Sequence, residues 1–321
     1  MRIVVLHTEV LPGARPDEAG IVNDAIEVAA ALDKAGHDTR RASLRHRDLT
    51  ALTEELRDAR PDLVFNLVDE TEGLHHLNVL APLLLEMLGL PFTGCRHQAM
   101  AVTTDKVLAK RALRLAGVRT PDWISPDEGG GEARPGTYLL KPRYGDASIG
   151  LDEDHLEMYR DPESARRRAT ADRFAEAFVE GREFNVGIID EGGAPRVLPI
   201  AEIDFHDYPE GKPKIVGYRA KWDESSFEYG HTARNFDFPA GDEPLLGRLG
   251  ETALLCWRLF GLGGYGRVDF RVDGEGIPWV LEVNGNPGLG SDAGLAAAAE
   301  RAGIGYGELI ETIAREALRR S

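Results

Sequence analysis

The sequence contains very little cysteine and no long apolar run. Its two cysteines, Cys95 and Cys256, are too few for a disulfide framework and too widely spaced for a zinc site, so we expect both to be buried thiols. No apolar stretch approaches the roughly 20 residues of a membrane-spanning helix. The N-terminal run M-R-I-V-V-L-H is too short and too strand-like for a signal peptide. We therefore expect a cytoplasmic protein with no membrane partner.

Basic charge is also scarce. The chain has 38 Lys and Arg residues against 54 Asp and Glu residues, a formal net charge of -16, which excludes general binding to nucleic acid phosphates or anionic membranes. Only seven residues are lysines, so a lysine outside an exposed helix is a candidate phosphate ligand, because its ammonium is a compact point charge. For Lys34 and Lys110, ordinary drift in composition is the simpler interpretation.

What is present is the pattern of a folded protein of two or three domains: 321 residues, of which 42% are hydrophobic and 29% charged. Over the first 94 residues, predicted strands alternate with predicted helices, which indicates a parallel sheet with helices on both faces. Farther on, strands are predicted at 138–142, 174–179, 183–190 and 196–205, and helices at 104–116, 243–260, 295–302 and 306–320. Residues 206–239 are irregular but contain three lysines, which is typical of a functional cover or a disordered loop.

Most of the chemistry lies in residues 267–290, where two period-two strands flank the turn D-G-E-G. If the register centres between Glu275 and Gly276, Asp269 lies opposite Glu282, and Arg267 lies opposite Asn284. Facing carboxylates repel each other, and a divalent cation between them would remove that penalty. The all-oxygen set of Asp, Glu and Asn suits Mg²⁺ or Mn²⁺. Alternatively, Arg267 neutralises a solvated sheet face, and spacing alone leaves the two interpretations equally open.

Several familiar motifs fail in context. The pattern G-x-G-x-x-G at 261–266 follows a helix and precedes a strand, the reverse of a dinucleotide site. There is no G-x-x-x-x-G-K-[ST] loop, no H-E-x-x-H zinc helix and no G-x-S-x-G elbow. The glycine-containing loop after Lys141 has backbone N-H groups suited to phosphate, but by itself it is better interpreted as an ordinary hairpin loop.

Six stretches taken together resemble the ATP-grasp superfamily, and most closely the D-alanine:D-alanine ligases. They are G-L-P-F-T-G (89–94), T-D-K-V-L-A-K (104–110), L-L-K-P-R-Y-G-D-A-S-I-G (139–150), F-V-E-G-R-E-F-N-V (178–186), Y-R-A-K-W (218–222) and G-R-V-D-F through L-E-V-N-G-N-P-G. The resemblance implies an ATP-grasp fold of mixed α/β and α+β class. It divides the chain into an N-terminal open parallel, Rossmann-like α/β domain (1–94), a central ATP-grasp subdomain (95–177) and a C-terminal ATP-grasp subdomain (178–321).

The resemblance also implies ATP as cofactor and a set of residues around it. The implied nucleotide contacts are Lys106 and Lys141 for the phosphates, Ser148 within the closing loop 145–150, Glu176 for the adenine amino group, Phe178 and Val179 for the hinge backbone, Glu183 for the ribose, and Lys221 for the terminal phosphate. The ligands of two Mg²⁺ ions, or Mn²⁺, would be Asp269, Glu282 and Asn284. Arg267 and the backbone N-H near Gly288 would stabilise a tetrahedral oxyanion. The implied reaction joins a small carboxylate to an amine through an acyl phosphate.

The sequence departs from the dipeptide-ligase pattern around the substrate. Ala147 stands where the pattern has a serine, Trp222 where it has a tyrosine, and Ala293-Gly294 where it has a serine-leucine pair. The N-terminal segment leaves Glu9 or Glu18 as candidate amine-binding carboxylates. We therefore expect a ligase with an altered substrate pocket, the alternatives being a peptide or amino acid ligase of specialised metabolism and a non-catalytic ATP-binding regulatory protein. Family precedent favours a homodimer.

Overall fold

The N-terminal layer is a three-stranded parallel sheet. A computed structural model describes residues 1–10, 16–128, 134–145, 151 and 157–320, with backbone alone for 16–18. The sheet order is β2-β1-β3, from strands β1 (Arg2–Thr8), β2 (Asp38–Leu44) and β3 (Leu63–Leu67). The expected parallel sheet is confirmed, and one further bridge joins Val64 to Phe92.

Helices cover both faces of this sheet, and those on one face come from opposite ends of the chain. The helices of the N-terminal layer are α1 (Pro16–Lys34), α2 (Leu49–Ala59) and α3 (Leu80–Leu88). On one face, Val4 and Leu6 of β1 share a core with α2 and α3. On the other face, Ile3 and Val5 share a core with α1 and with residues 289–317 near the C-terminus. Successive side chains of β1 thus point into two separate cores, one on each face of the sheet.

The middle of the chain forms a four-stranded antiparallel sheet of order β4-β7-β5-β6. Its strands are β4 (Trp123–Ile124), β5 (Tyr138–Pro142), β6 (Met158–Tyr159) and β7 (Arg173–Ala177), packed against α6 (Pro162–Arg168). Before it come α4 (His97–Thr104), which was not predicted, and α5 (Lys106–Leu115), which corresponds to the helix expected at 104–116. The break is Asp105, whose backbone is extended and whose carboxylate accepts the N-H groups of Val107 and Leu108, capping α5.

The largest sheet is antiparallel, with order β11-β10-β8-β12-β13 and β9 paired to β8. Its strands are β8 (Arg182–Glu191), β9 (Ala194–Val197), β10 (Ala201–Phe205), β11 (Thr232–Asn235), β12 (Tyr265–Val272) and β13 (Pro278–Asn284). The single strand expected at 196–205 is thus two strands. Helix α9 (Glu243–Phe260) backs the sheet, and its core also takes in residues 95–118. Both cysteines are buried and free, as expected.

The stretch 206–239 is more ordered than its sequence indicated. It contains the short helices α7 (Tyr218–Trp222) and α8 (Phe227–Gly230), followed by β11. The carboxylate of Glu228 is buried and contacts the Lys212 ammonium and, at 3.3 Å, the Arg219 guanidinium. Last come α10 (Gly294–Arg301) and α11 (Tyr306–Arg319). In the part of the chain that the structure describes, no helix has the length and apolarity needed to cross a membrane.

Candidate active site

A single large cavity collects most of the candidate residues. Its volume is about 1090 Å³, and helix α1, all three sheets and the segment 287–294 contribute to its wall. The candidates that line it are Lys141, Glu176, Phe178, Val179, Glu183, Lys221, Arg267, Asp269, Glu282, Asn284 and Gly288. Lys106 stands just behind the wall, and Ala147 and Ser148 lie outside the described residues. Such a volume exceeds that of most single-ligand pockets and leaves room for a nucleotide with a second substrate.

At the end away from its turn, the β12–β13 hairpin has the register that the sequence indicated. Arg267 pairs with Asn284, and Asp269 pairs with Glu282, and all four side chains face the cavity. Beyond that point the register shifts, so that Phe270 pairs with Val280. This bulge turns Leu281 to the cavity wall, although simple alternation placed it on the apolar face.

Asp269 and Glu282 differ in their electrostatic surroundings. Arg267 donates to both oxygens of Asp269, at 2.7 and 2.8 Å, and Asn185 donates to Oδ1 at 2.8 Å. Burial nevertheless raises the pKa of Asp269 to about 6; the charge of Arg267 opposes the increase and that of Glu282 adds to it. Burial also acts to raise the pKa of Glu282, but the charges of Lys106, Arg267 and Lys221 outweigh it and lower the pKa to about 2. Glu282 is therefore the firmly ionised member of the pair.

The side chains at this pair fit a magnesium ion that shares its coordination with a substrate. Asn284 adds an amide oxygen, whose direction is fixed because it accepts the N-H of Asn286 at 2.8 Å. Within the described ranges, no group of three or more His, Cys, Asp or Glu side chains is placed to hold a metal. Mg²⁺ is usually held by one or two carboxylates together with water and substrate phosphates, rather than by an all-protein cage. Two carboxylates and one amide oxygen match that pattern.

Three of the candidate lysines approach the cavity from different elements. Lys106, the first residue of α5, donates to the Gly145 carbonyl, and its Nζ lies 3.6 Å from Oε2 of Glu282. Lys141 on β5 contacts the carboxylate of Glu176. Burial lowers the pKa of Lys221 on α7; Arg267 reinforces this effect, and nearby carboxylates, including Glu282, oppose it. The wall of the cavity thus combines positive charge with the carboxylate pair.

Glu176 lies between two ammonium groups. Its side chain is 3% exposed; Oε1 lies 2.5 Å from Nζ of Lys110, and Oε2 contacts Lys141. Lys110 is 1% exposed, so the interpretation of Lys110 as drift in composition is wrong: it is one half of a buried ion pair. The adenine contact of Glu176 stays a prediction.

Glu183 is oriented by a residue that the sequence analysis did not single out. Arg271 is almost fully buried, lies 2.8 Å from Glu183, and donates to the carbonyl of Gly181 at 3.1 Å. Its guanidinium also lies over the ring of Phe178 at 5.6 Å. Arg271 follows Arg267 and Asp269 in the same period-two alternation, and this spacing was a signal that could have identified it.

The N-terminal carboxylates at the cavity are different from the two considered in the sequence. Glu9 pairs with Arg45 and is not among the described lining residues, and the side chain of Glu18 is not described. Instead, Asp24 and Glu27 of α1 line the cavity. Burial raises the pKa of Asp24 to about 6, although the N-H groups of residues 290 and 289 oppose the increase. Glu27 accepts the N-H of residue 291 at 2.7 Å, so both carboxylates tie the segment 287–292 to α1.

The positions that depart from the dipeptide-ligase pattern also face the cavity where they are described. Trp222 packs on α1, because a Cβ added at Gly20 would lie 3.1 Å from its ring. At the Ala293-Gly294 pair, Arg234 of β11 provides a guanidinium: its Nε lies 3.6 Å from the position that a Cβ of Gly294 would take. Arg234 also donates to the carbonyl of Asp292 at 2.9 Å. Arg234 therefore places a charged donor beside Gly294, the residue after the one at which the family pattern has a hydroxyl.

Comparisons with known proteins identify a family. The family model described as the C-terminus of D-ala D-ala ligase matches residues 138–315, more than half of the chain. A D-alanine--D-alanine ligase of Aquifex aeolicus is 31% identical, with 98% of this chain and 99% of that protein covered. A D-alanine--D-alanine ligase of Bordetella petrii is 30% identical over 73% of this chain and 70% of that protein.

The likeness extends to three-dimensional structure. The crystal structure of a D-alanine--D-alanine ligase from Bacillus anthracis complexed with ATP matches with a TM-score of 0.72, covering 100% of this chain and 98% of that one, at 24% identity. At that identity the match speaks for the fold alone, and the fold is ATP-grasp, with the parallel N-terminal sheet described above. The family model and the Aquifex relative carry the assignment further: the chain belongs to the D-alanine--D-alanine ligase family of ATP-dependent, amide-forming ligases.

Proposed function

We propose that this protein joins a carboxylate to an amine through an acyl phosphate, with a substrate pocket altered from that of a D-alanine:D-alanine ligase. The observation that carries the proposal is the cavity wall on which Arg267, the Asp269–Glu282 pair and Lys221 meet. Phosphoryl transfer needs positive charge around the transferred group, and amide formation needs a donor for an oxyanion. We also propose the domain division 1–94, 95–177 and 178–321 and a cytoplasmic location. The protein would be a homodimer, which sedimentation velocity would test.

ATP would occupy the part of the cavity between the central and the large sheet. Phe178 and Val179 line it at the junction of the two sheets, and Glu183, held by Arg271, would accept hydrogen bonds from the ribose. Lys141 and Lys221 would neutralise charge on the phosphates. Asp269, Glu282 and Asn284 would hold two Mg²⁺ ions, or Mn²⁺, which supply further charge neutralisation at the phosphoryl oxygens.

The reaction then takes two steps. A carboxylate oxygen of the first substrate attacks the γ-phosphorus, the bond to the β-phosphate oxygen breaks, and ADP leaves. The amine of the second substrate attacks the acyl carbon, phosphate leaves, and the nitrogen loses a proton. Arg267 and the N-H near Gly288 would stabilise the oxyanion of the second step, a contribution of roughly 3 to 4 kcal/mol per donor.

The altered pocket is argued from the acceptor end of the cavity. With Ala293 and Gly294 providing no hydroxyl, we assign recognition of the acceptor carboxylate to Arg234, whose guanidinium lies beside Gly294. Trp222 narrows the space next to α1. A site that exchanges a neutral donor for a charged one changes what it accepts, which favours an amino acid or peptide ligase of specialised metabolism over D-alanine ligation. A purely regulatory nucleotide-binding role would not require Arg267 at an oxyanion position.

The test is a phosphate-release screen with ATP and Mg²⁺ over amino acids, dipeptides and hydroxy acids, followed by mass spectrometry of the products. Stimulation by another acceptor, with D-alanine silent, supports the altered pocket. Stimulation by D-alanine alone would overturn it while leaving the ligase mechanism in place. A protein whose melting temperature rises with a non-hydrolysable ATP analogue and Mg²⁺, but which releases no phosphate with any acceptor, would contradict the catalytic proposal.

A further inference from the structure

We propose that Lys110 is a positioning residue for nucleotide binding: from behind the cavity wall it holds Glu176, and through Glu176 it sets the charge and place of Lys141. The inference rests on the proposed binding of ATP in this cavity. Lys141 and Glu176 line the cavity, whereas Lys110 is absent from its described lining. Because its side chain is 1% exposed and its ammonium is held behind Glu176, Lys110 acts on a bound nucleotide through its partner.

The geometry around Lys110 fixes its ammonium in one place. Its side chain on α5 is 1% exposed, and Nζ lies 2.5 Å from Oε1 of Glu176. Nζ also donates to the hydroxyl of Thr120 at 2.7 Å and to the carbonyl of Pro121 at 3.2 Å. The ring of Trp123 lies 5.8 Å away. An ammonium that is buried and held on several sides has little freedom to leave its carboxylate.

The charges of Lys110, Lys141 and Glu176 explain why two lysines contact one carboxylate. Glu176 on β7 carries one negative charge, and Lys110 and Lys141 carry two positive charges, so the cluster retains one excess positive charge. Because Lys110 lies behind the wall, this excess is available on the cavity side, at Lys141, to an anion such as a nucleotide phosphate. Without Lys110, Glu176 and Lys141 would form a neutral pair, and the carboxylate would compete with phosphate for the Lys141 ammonium.

The first experiment replaces the charge and keeps a hydrogen-bond donor. Burial lowers the pKa of Lys110 to about 8, so its charge is tested at pH 7. In the full chain, Lys110→Gln should raise the Kd for ATP with Mg²⁺ by about tenfold or more at pH 7, measured by isothermal titration calorimetry. The KM of the amino acid substrates should stay within about twofold. Lys34→Gln, at an exposed lysine on the last turn of α1, is the matched control and should bind ATP as the wild type does. If Lys110→Gln does not fold, Lys110→Met is measured instead.

A pH series separates positioning from a purely structural role. Lys110 on α5 and Lys141 on β5 are the charged groups that face Glu176, with Arg114 of α5 acting on Lys110. In the wild type, burial acts to raise the pKa of Glu176, but the two lysines together lower it. When Lys110 is replaced by a neutral residue, the effect of burial raises the pKa of Glu176 above that in the wild type. Glu176 then takes up a proton as the pH falls and releases Lys141. The ratio of variant to wild-type Kd should therefore be large at pH 7 and fall as the pH drops towards 6. It should also fall above pH 8, where Lys110 of the wild type loses its charge.

Two results would overturn the inference while leaving the proposed function intact. One is a Kd ratio near unity at pH 7, and the other is a ratio above unity that stays constant between pH 6 and pH 9, as a general loss of structure would give. Failure of the wild-type protein to bind ATP with Mg²⁺ would instead contradict the proposed function itself.

Discussion

At the scale of single residues, Asp269 is a side chain with several contacts and roles assigned to it. It faces Glu282 across the hairpin, accepts hydrogen bonds from Arg267 and Asn185, and is nearly buried. Its pairing with Glu282 was predicted by placing the centre of the hairpin between Glu275 and Gly276. The pairs next to the turn centre on Glu275 instead, and the bulge after Asp269 gives the predicted pair. The pairing of Lys110 with Glu176 was not predicted, because it joins residues on separate elements, and only tertiary packing shows that the lysine is buried.

Replacement of Asp269 tests the metal site. Asp269→Asn removes a charge at almost constant volume, so phosphate release that depends on Mg²⁺ should fall at least about 100-fold, because the ions lose a charged ligand. The measurement is a coupled phosphate assay with a thermal melt on the same sample. Asp237→Asn, at a carboxylate that is 81% exposed and paired with Arg301, is the control and should leave turnover unchanged. Wild-type turnover in Asp269→Asn would contradict the assignment.

Arg234 provides the corresponding test for the acceptor. Arg234→Met should raise the KM of the acceptor about tenfold or more, because a charge-assisted hydrogen bond to its carboxylate is lost, while the KM for ATP stays unchanged. Steady-state kinetics with each substrate varied in turn gives both values. Arg196→Met, on β9 and paired with Glu191, is the matched control. An equal effect on both KM values would show that Arg234 supports the structure of the site rather than the acceptor.

At the scale of elements, irregularities determine which side chains reach the cavity. The bulge in β12–β13 turns Leu281 inward, and the break at Asp105 starts α5 at Lys106, beside Glu282. The strands and long helices could be predicted from their periodicity. The bulge could not, because it inserts one residue into a pattern that otherwise continues, and the sequence contains no glycine there to mark it.

Gly181 joins the hinge residues to β8. Among these irregular positions, it leaves the least space for a side chain. Its φ is +142°, and a Cβ would lie 1.9 Å from the carbonyl oxygen of Val272. Gly181→Ala should therefore lower the free energy of unfolding by roughly 3 kcal/mol or more, since strain and overlap add. Urea denaturation measures this. Gly274→Ala, where no atom lies within 4 Å of the added Cβ, should change it by less than about 1 kcal/mol. Equal stabilities of the two variants would contradict the geometry.

At the scale of the whole molecule, the two ends of the chain share one core. Ile310 and Ile313 of α11 are fully buried together with Ile3 and Val5 of β1, and His37 contacts Glu311 at 2.7 Å. The sequence predicted a sheet with helices on both faces and predicted α11 almost to the residue. It did not show that α11 covers that sheet, because nothing in the periodicity of a helix identifies its distant partner.

Ile313→Ala tests this shared core. The cavity left behind should reduce the free energy of unfolding by about 2 to 5 kcal/mol. Hydrogen exchange should also become faster in β1 and β3, although they lie at the other end of the sequence. Leu318→Ala, at a leucine that is 36% exposed, is the control and should have little effect on either measurement. Unchanged exchange in β1, together with a normal loss of stability, would show that the two ends open independently.

The same arrangement affects how the protein is made. The first strand leaves the ribosome with an apolar face that α1 covers only in part, and α11, which completes the cover, is encoded about 300 residues later. At 5–20 residues per second, that face waits roughly 15 to 60 s before α11 has been synthesised. During translation the N-terminal sheet is therefore an unfinished structure with exposed apolar surface, and the nascent chain should need protection by a chaperone until its last helix emerges.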